Sequence, residues 1–131
     1  MSSRGDSKPR SSRVAAARLT AALDHIATNF QHPELSVETV ARSLKITPRY
    51  LQALLKKAGT SFTARVNELR LQRALTLLTQ AGDKARRVSD IAMEVGFSDV
   101  SHFNHLFRSR FGNTPSSVRS RRRAGRKATL R

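Results

Sequence analysis

Two stretches of this chain are copies of one another, and the copying constrains the fold more than any single residue does. Val40-Ala41-Arg42-Ser43-Leu44-Lys45-Ile46-Thr47 is matched, 51 residues later, by Ile91-Ala92-Met93-Glu94-Val95-Gly96-Phe97-Ser98. After one extra residue in the second copy the match resumes, with Leu51, Leu54, Leu55 and Lys56 against Phe103, Leu106, Phe107 and Arg108. Both copies close alike, on Ala58-Gly59-Thr60-Ser61 and Phe111-Gly112-Asn113-Thr114. An internal repeat of this kind means that one supersecondary unit is built twice. Each copy reads as a short helix, a tight turn and a second helix, so the chain carries two helix-turn-helix units.

A length of 131 residues suits one compact body or two small lobes sharing a connector. Apolar residues recur at helical spacing nearly throughout, and the expected fold class is all-α: two helix-turn-helix subdomains joined by a long connector helix. No run approaches the roughly 18 apolar residues of a membrane span, and Met1 to Arg13 lacks the apolar stretch of a secretory signal. Cysteine is absent, which excludes disulfide and thiol chemistry. Net charge is +16, and its placement carries more than its size. Residues 1–13 hold four basic side chains and one acid, residues 119–131 seven and none, which leaves +6 on the middle. Basic ends alone announce only a polyanion or solubility. Any specific function must be legible in 14–118.

The expected organisation is a disordered basic tail over 1–13, a first subdomain over 14–60, a connector over 61–80, a second subdomain over 81–120 and a second basic tail over 121–131. Leu19, Leu23, Ile26 and Phe30 share one face of a first helix from about Val14 to Phe30, which Pro33 ends. Ser36 is a good N-cap for a helix through Leu44, and Thr47-Pro48 opens the next, hydroxyl as cap and proline at the first helical position. The connector shows two apolar stripes, Phe62, Val66, Leu69 and Leu77 on one and Leu71, Ala74, Leu75 and Leu78 on the other. A helix apolar on two faces is buried by two neighbours. In the second copy Ser89 and Ser98 are candidate caps, and Thr114-Pro115 repeats the Thr47-Pro48 signature for a last helix through about Ser120.

In each copy the second helix divides into two stripes. Leu51, Leu54, Leu55 and Ala58 should face the core, leaving Arg49, Gln52, Ala53 and Lys56 outward. Phe103, Leu106 and Phe107 do the same in the second copy, leaving Ser101, Asn104, His105 and Arg108. The outward stripes stand at equivalent register and carry no acid. Their side chains suit base edges in a major groove: Arg or Lys for guanine, Gln or Asn for adenine, Ser for either. Any surface helix has a polar face, but two matched acid-free faces behind matched turns point to DNA. Ala41 and Ala92 are small where two helices cross, and Gly96 falls where a left-handed residue is expected, with Lys45 in its place in the first copy. A connector of about 20 residues is about 30 Å long, close to the roughly 34 Å between successive major grooves. One monomer is therefore expected to fill both grooves of an asymmetric site.

The second copy's Ile91-Ala92, Val95-Gly96-Phe97-Ser98-Asp99, Ser101, Phe103, Phe107-Arg108, Phe111-Gly112 and Thr114-Pro115, with Arg70-Leu71, Arg73-Ala74 and Leu77-Leu78 of the connector, resemble the DNA-binding domain of the AraC/XylS family of bacterial transcription regulators. The likeness covers about residues 34 to 120. It implies seven helices, two recognition helices in consecutive major grooves, and sequence-specific control of transcription, activation included. By position it makes Arg49, Gln52, Ala53, Lys56, Ser101, Asn104, His105 and Arg108 the base readers. Ser36, Thr47, Lys57, Arg86, Arg87, Thr114 and Arg119 are the expected phosphate contacts. His105 stands where the family usually has arginine, Val118 replaces a usual aromatic, and the loop 81–88 is longer and more basic than usual. Family members commonly carry a separate effector or dimerisation domain. Only about 13 residues precede the first helix, so the chain is expected to be a stand-alone member or an excised part.

The expected partners are double-stranded promoter DNA and RNA polymerase, in the bacterial cytoplasm on the nucleoid, with no membrane, no cofactor and no small-molecule effector site in this chain. An enzyme is not expected, since no nucleophile–base set, phosphate loop or carboxylate cluster is present. Asp99, His102 and His105 imitate a metal site, but Asp99 is better placed as a first-turn acid favoured by the helix dipole, and His102 at the edge of the core. His25 and His32 are expected at the surface. The alternative is a non-specific nucleoid-associated or RNA-binding protein. RNA readers usually offer aromatic stacking platforms, whereas this chain has one Tyr, no Trp and Phe at core spacing.

Overall fold

The computed structural model describes residues 10–80 and 86–121. Among them are helices and no strands: α1 (Arg10–Asn29), α2 (Val37–Leu44), α3 (Pro48–Lys57), α4 (Phe62–Thr79), α5 (Val88–Glu94), α6 (Val100–Phe111) and α7 (115–121). None of these helices is long and apolar enough to cross a membrane. Residues 1–9 and 122–131 of the tails expected over 1–13 and 121–131, and residues 81–85 of the loop expected over 81–88, lie outside the described residues. Two compact units result, Met1–Asn29 with Glu34–Val66 and Phe30–Pro33 with Asn67–Arg131. The division falls inside α4, between Val66 and Asn67, and not at either end of the connector, and residues 30–33 belong with the second unit.

The first unit packs α1, α2 and α3 against one another. Ala22 and Ile26 of α1, Val40 and Ala41 of α2, Leu51, Leu54 and Leu55 of α3 and Val66 of α4 are its buried apolar residues. Each large aliphatic side chain there contributes about 1.5–3 kcal/mol by leaving water. Local chemistry places the helices. Ser36 and Thr39 exchange bonds: Ser36 Oγ accepts from the Thr39 N–H at 3.2 Å and Thr39 Oγ1 from the Ser36 N–H at 3.1 Å. Thr47 Oγ1 accepts from the Tyr50 N–H at 3.0 Å, with Pro48 at the first helical position.

Two expectations fail in this unit. The first helix starts at Arg10, so residues 10–13 are helical where a tail was expected. Ala15-Ala16-Ala17 propagates a helix well, and no breaker lies between Arg10 and Val14 to stop it. Ala58 is exposed, because α3 ends at Lys57 and the chain turns away through Gly59 at φ +84°.

The second unit has a larger core: Leu71, Ala74, Leu77 and Leu78 of α4, Ile91, Ala92 and Val95 around α5, then Phe97, Phe103 and Phe107, with Val118 of α7 packed at its margin. Four phenylalanines stack in tilted pairs, Phe97–Phe103 at 5.2 Å, Phe103–Phe107 at 5.6 Å and Phe107–Phe111 at 4.7 Å between centroids. The expected serine caps are replaced. Asp99, not Ser98, caps α6: its Oδ1 accepts from the N–H groups of Ser101 at 2.9 Å and His102 at 3.2 Å. A carboxylate that satisfies two orphan amides and faces the positive end of the helix outcompetes a hydroxyl one residue earlier. Asp99 is thus the cap itself and not a first-turn acid. α5 starts from Arg87, whose N–H donates to Asp90 Oδ2 at 3.2 Å, and Ser89 lies within the helix. Thr114 Oγ1 accepts from the Ser117 N–H at 3.1 Å, as expected, and α7 runs one residue past Ser120.

Candidate nucleic-acid interface

The duplication is reproduced bond for bond in the two turns. In the first, the Lys45 N–H donates to Arg42 O at 3.1 Å and the Ile46 N–H to Ala41 O at 3.0 Å. In the second, the Gly96 N–H donates to Met93 O at 3.1 Å and the Phe97 N–H to Ala92 O at 2.9 Å. This is the Schellman pattern, which needs a left-handed residue just past the helix. Lys45 takes it at φ 60° and Gly96 at φ 114°. The crossing alanines, Ala41 and Ala92, are fully buried. With Thr47 and Asp99 as equivalent caps, the extra residue of the second copy is Ser98, inserted between turn and cap.

Behind each turn the second helix presents the expected two faces. On α3, Leu51, Leu54 and Leu55 are buried while Arg49, Gln52, Ala53 and Lys56 are exposed. On α6, Phe103 and Phe107 are buried and Leu106 half-buried, while Ser101, Asn104, His105 and Arg108 are exposed. All eight base-reading candidates thus stand on open surface, four on each unit. Among the described residues, none of their side chains makes a hydrogen bond or an ion pair. Their donors and acceptors are available to a ligand.

The phosphate candidates divide into two groups. Ser36, Thr47 and Thr114 turn their oxygens onto their own helix starts; the Ser36 hydroxyl also donates to Thr39 Oγ1 at 3.3 Å, whereas those of Thr47 and Thr114 keep their protons to give to an anion. Lys57 and Arg87 are exposed. Arg86 and Arg119 are engaged within the second unit, Arg86 in an ion pair with Glu94 and Arg119 as donor to the Arg86 carbonyl. Those two side chains already have partners, which makes them poorer candidates than the sequence alone implies.

Several contacts that brace these helices have no spacing signature in the sequence. The Arg18 guanidinium lies 5.5 Å over the Tyr50 ring, bracing α3 from α1. Glu68 accepts a forked pair of bonds from Arg110 at 2.8 and 2.9 Å and a third from Gln72 at 2.8 Å, tying the end of α6 to α4. The hydrogen bonds to Glu68, and then its charge, hold the Arg110 guanidinium above its ordinary pKa. Arg70 is buried and donates to the carbonyls of Phe30 and His32 at 2.7 and 2.9 Å. His102 is exposed at the margin of the core, meeting the ring of the buried Phe97 edge-on at 6.3 Å. His32 is exposed and His25 half-buried. Among the described residues no three His, Cys, Asp or Glu side chains stand together as metal ligands would.

Comparison with known proteins agrees with this geometry. A helix-turn-helix domain family matches residues 40–121, which include both turns and both recognition helices. The transcriptional activator RhrA of Rhizobium meliloti is 41% identical over 91 residues, covering 70% of this chain and 29% of that protein. The HTH-type transcriptional regulator GadX of Escherichia coli is 34% identical over 96 residues, 73% of this chain and 34% of that one. The chain thus spans about a third of the length of these relatives. Among solved structures, a transcriptional regulator with an AraC-type DNA-binding domain from Chromobacterium violaceum superposes with a TM-score of 0.71 at 32% identity, over 84% of this chain and 96% of that one. The chain belongs to the AraC-type helix-turn-helix family of DNA-binding domains found in transcription regulators.

Proposed function

We propose that the chain binds double-stranded promoter DNA sequence-specifically and thereby regulates transcription, with α3 and α6 each entering a major groove, the two grooves successive along one face of the duplex. The observation that carries this is the pair of exposed, acid-free stripes, Arg49, Gln52, Ala53 and Lys56 on α3 and Ser101, Asn104, His105 and Arg108 on α6, set behind turns closed by the same hydrogen bonds. Arg and Lys pair with guanine, Gln and Asn with adenine, and Ala with the thymine methyl. Ser36, Thr47, Lys57, Arg87 and Thr114 position the helices through phosphates without choosing a sequence. The two stripes differ, so a single monomer reads an asymmetric site of about two helical turns. The reading makes the chain a DNA-binding module and not an enzyme, acting in the bacterial cytoplasm, with RNA polymerase as the partner through which binding acts on transcription.

Selection of binding sites from random duplexes, followed by sedimentation of the complex, tests this. The expected outcome is one asymmetric motif bound one-to-one, preferred over bulk DNA by about a thousandfold or more. Binding without preference would favour a nucleoid-associated role, and a two-to-one complex on a palindrome would remove the monomer.

A further inference from the structure

We infer that Arg70 is a positioning residue for the second recognition helix: its buried guanidinium fixes the turn from which α6 starts, and so sets the register in which Ser101, Asn104, His105 and Arg108 meet base edges. The inference rests on α6 being a DNA reader. Arg70 lies on α4 and is 9% exposed. A buried cation needs partners, and Arg70 finds them in backbone: Nε donates to Phe30 O at 2.7 Å and a terminal nitrogen to His32 O at 2.9 Å. The segment 30–33 is held in the second unit in this way.

The same guanidinium presses on the turn and not on the body of a helix. A Cβ at Gly96 would lie 2.6 Å from Arg70 Nε and 2.8 Å from Phe30 O, so the backbone there runs directly against both. The next residue, Phe97, takes the guanidinium over its ring at 5.7 Å. Phe97 also closes the turn through its N–H to Ala92 O and packs on Phe103 of α6. Two residues further, Asp99 caps α6 and fixes where that helix begins. A displacement at Gly96 and Phe97 therefore passes to the cap and along α6, and base-edge hydrogen bonds tolerate only fractions of an ångström. The first copy has Lys45 and Ile46 at the corresponding places, with neither the bare backbone for so close an approach nor a ring for the cation. The dependence should be one-sided.

The test is binding of Arg70→Ala and Arg70→Lys to duplexes substituted at each base pair of the selected site, well below the melting temperature of each variant. The half of the site read by α6 is located independently with Asn104→Ala and Arg108→Ala, and the half read by α3 with Arg49→Ala and Gln52→Ala. Expected is a roughly tenfold loss of preference in the α6 half, with the α3 half and non-specific affinity unchanged. Lysine should not rescue, because its ammonium lacks the planar fork that reaches two carbonyls. Folded variants that keep their α6-half preference overturn the inference, and so does equal loss in both halves. If Arg70→Ala does not fold, Arg70→Lys decides; failure of both to fold also overturns it, leaving Arg70 a purely stabilising residue. A wild-type protein with no preference in the α6 half refutes the reading of α6 instead. Hydrogen exchange then decides on the positioning role: the Ser101 and His102 amides should exchange faster in Arg70→Lys while those of α3 do not, and unchanged rates overturn it.

Discussion

Gly96→Ala should be the most damaging single methyl that can be added to this protein, and the structure allows the damage to be apportioned. Backbone strain comes first. At φ +114° an alanine sits in a region that disfavours any Cβ, and a left-handed conformation costs an L-residue about 1–2 kcal/mol. Steric conflict comes second. The new methyl would lie under 3 Å from Arg70 Nε and from Phe30 O, so one of them must move, and the 2.7 Å bond between them breaks or lengthens. Leaving a buried polar group without its partner costs about 1–3 kcal/mol. Together these give about 2–5 kcal/mol, against a total stability of about 5–15 kcal/mol for a domain. For a unit of this size each kcal/mol moves the melting temperature by roughly 4–8 °C, so scanning calorimetry should show a fall of at least about 8 °C. Two internal controls separate strain from steric conflict. Gly59 and Gly112 also have positive φ, 84° and 80°, but a Cβ at either meets nothing within 4 Å. Gly59→Ala and Gly112→Ala should therefore show the strain alone. If Gly96→Ala is no worse than these two, the close approach of Arg70 and Phe30 to the turn is not a constraint, and that turn is held by something else.

The remaining predictions use simpler assays. Lys45→Gly should stabilise the first unit slightly, by about 0.5–1 kcal/mol in denaturant titration, because relief of left-handed strain outweighs the entropy of an added glycine; destabilisation would mean that the lysine side chain itself stabilises the turn. Asp99→Ala should cost about 1 kcal/mol of stability by releasing the Ser101 and His102 amides, while Ser98→Ala should cost little; the reverse order would restore Ser98 as the cap. Deleting residues 121–131, which carry six basic side chains, should weaken binding to every duplex alike and reduce the salt slope by about 0.9 for each phosphate no longer neutralised. Loss of discrimination between sites would make that segment a reader. Arg49→Ala and Arg108→Ala should each cost about 1–3 kcal/mol of base discrimination, in opposite halves of the site, with circular dichroism unchanged because both side chains are exposed.

Much of the fold was legible because it is local. Helical spacing picked out Leu51, Leu54, Leu55, Phe103 and Phe107 as core, and the caps at Ser36, Thr47 and Thr114 follow from hydroxyl chemistry next to a helix start. The left-handed positions at Lys45 and Gly96 were legible from the repeat itself. Where two local signals compete, sequence chose wrongly: Ser98 and Asp99 are adjacent, and only geometry shows the carboxylate reaching two amides. The start of α1 was missed because a polar, arginine-rich stretch extends a helix as readily as it forms a tail. Long-range polar contacts left no trace at all. Arg70 meets carbonyls 38 and 40 residues away, Arg110 meets Glu68 across 42 residues, and no spacing rule links such pairs. The exposed stripes of the candidate site were legible. The withdrawal of Arg86 into an ion pair with Glu94 was not.

The two turns hold the same shape through main-chain hydrogen bonds while their side chains have diverged, lysine and isoleucine in one, glycine and phenylalanine in the other. Geometry that resides in backbone bonding is indifferent to what the following helix displays. A symmetric dimer that alters one recognition residue alters both halves of its site at once, and its target must change in two places together. Here each stripe is encoded separately. Under the proposed reading, a substitution at Gln52 can be tried against one groove while Asn104 holds the next, so half of an old site anchors the protein as the other half drifts. Such a chain can move to a new promoter in single steps, through intermediates that still bind.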